Sequence, residues 1–216
     1  CEDGAQTDAQ NLTGKLSWAK IQARQRAATQ KLVQGIAGLL KMRKVRVLTG
    51  EASFEDEHRL TVKTADGTEE VPFDACIIAT GSQAFFPPPF DKAKAFLLDN
   101  STIFDIPRLP KTLTIIGGGV IGCEMAELMN GFGVAVNIVE MQPRLLPPLD
   151  EGVARILTQS FTKRGIKLFT GQTATGVVQE NGMKRLTLAD GTVLESEEIL
   201  AAIGRTVDLT GLGLEK

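Results

Sequence analysis

The chain of 216 residues contains one histidine and three cysteines, and these scarcities exclude several chemistries. Cys1, Cys76 and Cys123 are too far apart in sequence to form a Cys-x-x-Cys metal or redox pair. Cys76 and Cys123 read as small apolar core residues in a reducing compartment. His58 stands in the polar stretch FEDEHRL and reads as a surface residue, and the DEH and SEE clusters read as solvated charge, so no metal site is expected. The net charge of -2 offers no electrostatic footprint for a polyanion, which argues against nucleic acid. No window approaches eighteen uninterrupted apolar residues, so no membrane span is expected. No signal-peptide pattern opens the chain, and a cytoplasmic location is the default expectation. The first residue is Cys rather than Met, so a fragment or a processed product is to be considered.

An apolar fraction of 43% is enough for a real core. Residues 15–42 place Trp18, Ile21, Ala28, Leu32, Ile36 and Leu39 at three- and four-residue steps, which predicts a long helix. KVRVLTG then reads as a short strand, residues 52–68 as antiparallel ribbon with an ADG turn, and ACIIATG as a strand covered on both faces. The proline-rich residues 85–112 read as a domain connection. From Thr112 the pattern becomes regular: strand, glycine loop, helix to about Asn130, strand AVNIVE, loop, helix from about Asp150 to Arg164, strand IKLFT. Strands alternating with helices predict a parallel sheet. The second helix is expected to turn Val153, Ile156, Leu157 and Phe161 to that sheet. One short device occurs twice, at residues 60–82 and 186–205: strand, Asp-Gly turn, strand, then an apolar segment ending near glycine.

Gly117, Gly119 and Gly122 form GxGxxG between a predicted strand and a predicted helix. Gly117 suits a tight turn, Gly119 a close approach of backbone to a pyrophosphate, and Gly122 close packing of helix on strand. The phosphates would face the positive end of the helix. Glu140, about twenty residues on at the end of the second strand, fits the acceptor for ribose hydroxyls, and its charge would repel a 2'-phosphate, favouring NAD over NADP. Arg144 lies several residues past the usual place for a phosphate partner.

The stretches TIIGGGVIGCEMAE, IVEMQPRLLPPLD, DACIIATGS and ILAAIGR together resemble the flavoprotein disulfide reductases, most nearly their dihydrolipoyl dehydrogenase branch, and the match spans nearly the whole chain. The resemblance implies an α/β chain with a Rossmann-like NAD-binding domain, a parallel sheet plus β-ribbon, at 111–216, and part of an FAD-binding domain at 1–110. The two copies of the repeated device would then close one nucleotide-binding unit each. It assigns Gly117, Gly118, Gly119, Val120, Ile121, Gly122, Cys123, Glu124, Glu140, Thr173 and Gly204 to the NAD side. Gly50 to Ala52, Thr80, Gly81 and Ser82 fall to FAD. Val120 would cover the flavin ring from the nicotinamide side. Glu124 would be a flavin-side carboxylate, or else an ordinary helix-start glutamate favoured by the dipole.

In that family a first flavin GxGxxG and a C-x4-C pair precede the equivalent of Cys1, and a catalytic His and Glu follow the equivalent of Lys216. This sequence contains none of them, and GRTVDLTG lacks the usual proline and asparagine after Arg205. The resemblance implies electron transfer from dihydrolipoamide of a 2-oxoacid dehydrogenase complex, through a disulfide and FAD, to NAD, in a homodimer. The chain alone is expected to bind NAD without turning over. A non-catalytic NAD-binding module, or another disulfide or metal reductase of the family, stays open as an alternative.

Overall fold

A computed structural model describes residues 17–215. The chain divides into two compact units, Cys1–Arg24 with Ala84–Gly204, and Gln25–Gln83 with Arg205–Lys216. Helix α1 (Trp18–Met42) begins in the first unit and continues in the second. Strands β1 (Glu51–Asp56), β2 (Arg59–Thr64) and β3 (Gly67–Pro72) follow, and the two-residue strand β4 (Gln83–Ala84) lies where the chain enters the first unit for the second time.

The first unit is built on β5 (Thr112–Ile116), α2 (Val120–Gly131), β6 (Ala135–Glu140), α3 (Glu151–Lys163), β7 (Lys167–Thr170), β8 (Ala174–Glu180), β9 (Met183–Leu188), β10 (Val193–Ser196) and β11 (Glu198–Ala201). Strands β11, β5, β6 and β7 form a four-stranded sheet in that order, every pair parallel. β8, β9 and β10 form an antiparallel meander, the expected ribbon. This is the α/β class that the alternation of strands and helices implies.

The sheet is covered on both faces, which is why β5 reads as an unbroken apolar run. Leu113, Thr114 and Ile115 are fully buried and Ile116 nearly so. On one side Leu113, Ile115, Val136 and Ile138 pack with Ala126, Met129 and Phe161 of the helices and with Trp18. On the other, Ile116, Val139 and Ile199 pack with Leu186 and Leu188 of the meander and with Phe90 and Leu97. Buried Thr114 is satisfied by Asn137, whose Nδ2 donates to its Oγ1 at 3.1 Å. Trp18 stacks edge-on against Phe132 and donates its indole N–H to the Ile106 carbonyl at 2.8 Å.

Helix α3 starts at Asp150, whose carboxylate accepts the Gly152 N–H at 2.7 Å, and ends before Gly165 at φ +80°. Its buried face is Ala154 and Phe161, with Leu157 half-buried; Val153 and Ile156 are 50% and 67% exposed, contrary to expectation. The apolar stripe is wider than the contact.

The proline-rich stretch is not a bare connection. It packs through Phe90, Ala93, Leu97, Ile103 and Ile106, all buried, and Leu98 forms a parallel bridge to Leu200. Its apolar residues lie at irregular intervals, partly in two 3-10 turns (Asp91–Phe96 and Thr102–Phe104) and partly in the irregular chain beside them, so they show no helical or strand period.

In the second unit β1, β2 and β3 form an antiparallel sheet, one strand more than a simple hairpin. α1 is helical as its periodicity predicts, yet Leu32, Val33, Ile36, Leu39 and Met42 are 58–70% exposed. Two expected strands are not formed: residues 45–49 and 75–81 are irregular. Ile77 is 90% exposed and Cys76 is exposed rather than buried. A strand needs a ladder partner, and no described strand pairs with either segment. The two-residue strand β12 (Arg205–Thr206) begins the return to this unit, where Arg205 donates to the Ser82 hydroxyl at 2.8 Å. Cys1 lies outside the described residues.

These packing differences set a mutational contrast. Phe161→Ala, which empties a fully buried site, is expected to cost about 3–5 kcal/mol. Ile156→Ala, on the same helix but exposed, is expected to fall within about 0.5 kcal/mol of the parent. Denaturant titration of both variants checks it; equal losses would mean that α3 is turned differently.

Candidate nucleotide-binding site

β5 and β11 are neighbours whose carboxyl ends open a crevice, because the chain leaves β5 through α2 toward β6 on the opposite side from β11. The glycine loop fills this position. Gly117 has φ +106°, donates its N–H to the Val139 carbonyl at 2.7 Å, and would place a Cβ 2.3 Å from the Ala202 carbonyl oxygen. No other residue fits there. A Cβ on Gly122 would lie 1.9 Å from the Gly117 carbonyl oxygen, so the first turn of α2 rests directly on the loop. Gly119, the N-cap of α2, differs: nothing lies within 4 Å of where its Cβ would be. Its backbone faces open space, beside helix N–H groups that have no intrahelical acceptor.

Glu140 is only 7% exposed, and both its oxygens are engaged. One accepts the Gly118 N–H at 2.6 Å and the other the Gln142 N–H at 2.7 Å. The carboxylate therefore ties the glycine loop to the segment leaving β6, and each oxygen keeps a further lone pair for a ligand hydroxyl. The Gly118 carbonyl accepts from the Leu146 N–H at 2.8 Å and from the Cys123 thiol at 3.4 Å. Burial, reinforced by the Glu140 and Glu124 carboxylates, pushes that thiol up to about 11. Cys123 is therefore a packing residue rather than a nucleophile near neutral pH.

A cleft of about 550 Å³ opens here, lined by Gly117, Gly119, Glu140, Thr173 and Gly204 of the residues expected on the NAD side. Gly118, Gly122 and Cys123 are buried behind it, while Val120 and Glu124 are exposed on the first turns of α2 and Ile121 is half-buried there. Pro87 to Phe90, Met141, Gln142, Pro147 and Pro148 also line the cleft and were not singled out from the sequence as cleft residues, Pro87 to Pro89 reading there as a stiff linker. Met141 and Gln142 could have been, since they directly follow a carboxylate at the end of a parallel strand.

The residues assigned to FAD are placed differently. Ala52 sits in β1 opposite Val62, and Thr80, Gly81 and Ser82 occupy an exposed irregular stretch with Gly81 at φ +79°. A Cβ on Gly50 would lie 2.2 Å from the Lys63 carbonyl oxygen, so this glycine is needed for packing against β2. Among the described residues no group of three or more His, Cys, Asp or Glu could hold a metal ion, and no helix is long and apolar enough to cross a membrane.

The glycines can be separated experimentally. Gly122→Ala should cost about 1–3 kcal/mol of stability, because the helix must move off the loop. Gly119→Ala, at φ -75° with open space around it, should fold within about 0.5 kcal/mol of the parent. Thermal melts of both variants test the assignment. Iodoacetamide near neutral pH should modify Cys76 and leave Cys123 untouched until the chain is unfolded, with peptide mapping as the readout. Rapid labelling of Cys123 in the folded chain would contradict its burial.

Comparison with known proteins agrees with this geometry. Residues 4–216 match the Pyridine nucleotide-disulphide oxidoreductase family. A dihydrolipoyl dehydrogenase from Bacillus subtilis is 33% identical over 210 residues, covering 93% of this chain and 44% of that protein. An NAD(P)H dehydrogenase (quinone) from Mycobacterium tuberculosis is 30% identical over 209 residues, covering 94% and 42%. Among solved structures, LpdA from Mycobacterium tuberculosis superposes with a TM-score of 0.86 at 30% identity, over 96% of this chain and 47% of that one. The chain thus spans less than half the length of these relatives. With its glycine loop, parallel sheet and near end-to-end match, the chain belongs to the pyridine nucleotide-disulphide oxidoreductase family.

Proposed function

We propose that the cleft at the carboxyl ends of β5 and β11 binds NAD, and that the chain is the central part of an FAD- and NAD-dependent disulfide oxidoreductase of the dihydrolipoyl dehydrogenase type. The observation that carries the reading is Gly119, a helix N-cap facing open space beside a buried carboxylate. A pyrophosphate fits that space: α2 supplies N–H groups and the positive end of its dipole, and no side chain blocks the approach. The adenosine ribose would meet Glu140, whose remaining lone pairs suit two hydroxyls. Thr173, Met141 and the prolines line the rest of the cleft. Bound NAD would supply the hydride acceptor; the contribution of these residues is to hold and orient it.

The division proposed from the sequence is 111–216 as the NAD-binding part and 1–110 as part of an FAD-binding domain, with flavin held in a longer protein; the compact units set their bounds at Ala84 and Gly204 instead. The whole enzyme would take electrons from dihydrolipoamide of a 2-oxoacid dehydrogenase complex, as a homodimer in the cytoplasm. The relatives named dihydrolipoyl dehydrogenase support this choice.

Titrating the chain with NADH and NADPH, followed by nucleotide fluorescence, tests the cofactor. NADH is expected to bind at least about tenfold more tightly, a difference near 1.4 kcal/mol. Tighter binding of NADPH would overturn the role of Glu140. Glu140→Ala strands two backbone N–H groups and should cost about 1–3 kcal/mol of stability as well as NADH affinity. With dihydrolipoamide and NAD the chain should show no turnover, because it contains no C-x4-C pair. Normal activity would refute that part of the reading.

A further inference from the structure

Arg144 follows Glu140 by four residues and is half-buried in the loop between β6 and α3. It is the cation that follows the expected ribose acceptor in this loop, though past the usual place for a phosphate partner, and its side chain is directed into its own loop. Nη1 donates to the Leu149 carbonyl at 2.9 Å and, at a longer 3.4 Å, to the Leu146 carbonyl. Nη2 donates to the Pro147 carbonyl at 2.8 Å. A planar fork holds its donors in fixed directions toward three carbonyls of one turn, whereas an ammonium is a compact point charge without that preorganised span.

The turn so gathered has a reason to need this. Leu146 has φ +49°, a left-handed conformation that a γ-branched residue seldom adopts without outside support. Its N–H is the group that donates to the Gly118 carbonyl at 2.8 Å. Leu145, fully buried, fills the volume that a side chain on Gly118 would occupy, at 2.6 Å from that Cβ position. Pro147 and Pro148 form one wall of the cleft. Arg144 is thereby linked to the glycine loop through a continuous chain of contacts, from guanidinium to carbonyls, from turn to Leu146 N–H, and from there to Gly118.

We infer that Arg144 is a positioning residue for the nucleotide cleft: it fixes the 144–149 turn in the shape that latches the Gly118 carbonyl, and it does not serve as a phosphate ligand. The inference rests on the nucleotide reading of the cleft for its effect on affinity, but not for the turn itself. It also explains why an arginine close to the site does not convert it to NADP: reaching a 2'-phosphate would dismantle the turn that shapes the cleft.

The test combines amide hydrogen exchange with nucleotide titration on the chain and on Arg144→Ala and Arg144→Lys. In Arg144→Ala, exchange at the Leu146 amide should accelerate by about tenfold or more through local opening, while Ile115 and Ile138 in the sheet keep their rates and so report an intact fold. NADH affinity should fall by about tenfold, NADPH affinity by the same factor, so that their ratio changes by less than about twofold. Arg144→Lys keeps the charge and most of the stem but not the fork, and should resemble the alanine variant. The proposal is overturned if Leu146 exchange is unchanged, if Arg144→Lys restores the parent behaviour, or if NADPH alone loses affinity. Should the parent chain bind neither nucleotide, the reading of the cleft fails, and the exchange rates still decide whether Arg144 holds the turn.

Discussion

The first unit depends on a carboxylate held between two backbone N–H groups. Glu140 accepts from Gly118 and from Gln142, and these bonds join the glycine loop to the segment leaving β6. Charge-assisted bonds of this kind are strong, and an acid only 7% exposed cannot recover the loss from water. The glycines make the arrangement possible: Gly117 takes the turn, Gly118 leaves room for Leu145 and Glu140, and Gly122 lets α2 settle on the loop. One side chain thus sets both the shape of the cleft and its charge. The two effects cannot be changed independently.

The first unit was largely legible from sequence because its signals are local and mutually consistent. A strand covered on both faces is a continuous apolar run, and β5 is one; a capped helix announces itself, as Asp150 does for α3. The glycine spacing marked the loop because Gly117 and Gly122 answer steric demands that no other residue meets, while Gly119 between them stands in open space. What escaped was whatever lacks a period. Phe90, Leu97 and Ile103 reach the core from 3-10 turns and irregular chain, and Pro87 to Pro89 line the cleft from a stretch that reads as spacer. Val153 and Ile156 misled in the opposite sense, since amphipathic spacing gives the direction of a helix face but not its width.

In the second unit the local signals were correct for α1 and for the ribbon, yet the apolar segments 45–49 and 75–81 have no ladder partner among the described strands and stay irregular. Strand propensity is a statement about neighbours as much as about residues. The family match covers nearly all of the chain but less than half of the relatives.

The Leu98 bridge has a consequence for behaviour in concentrated solution. β11 would otherwise be the free edge of the parallel sheet, with Ile199 and Ala201 presenting unpaired backbone to any passing strand. Leu98 donates to the Ile199 carbonyl and accepts from the Ala201 N–H, which occupies that edge. The opposite edge strand, β7, is only four residues long and opens with Lys167. Short strands, edge lysines and covering segments are the devices by which sheets avoid joining edge to edge. Leu98 thus leaves less of the β11 edge open to pairing with another strand.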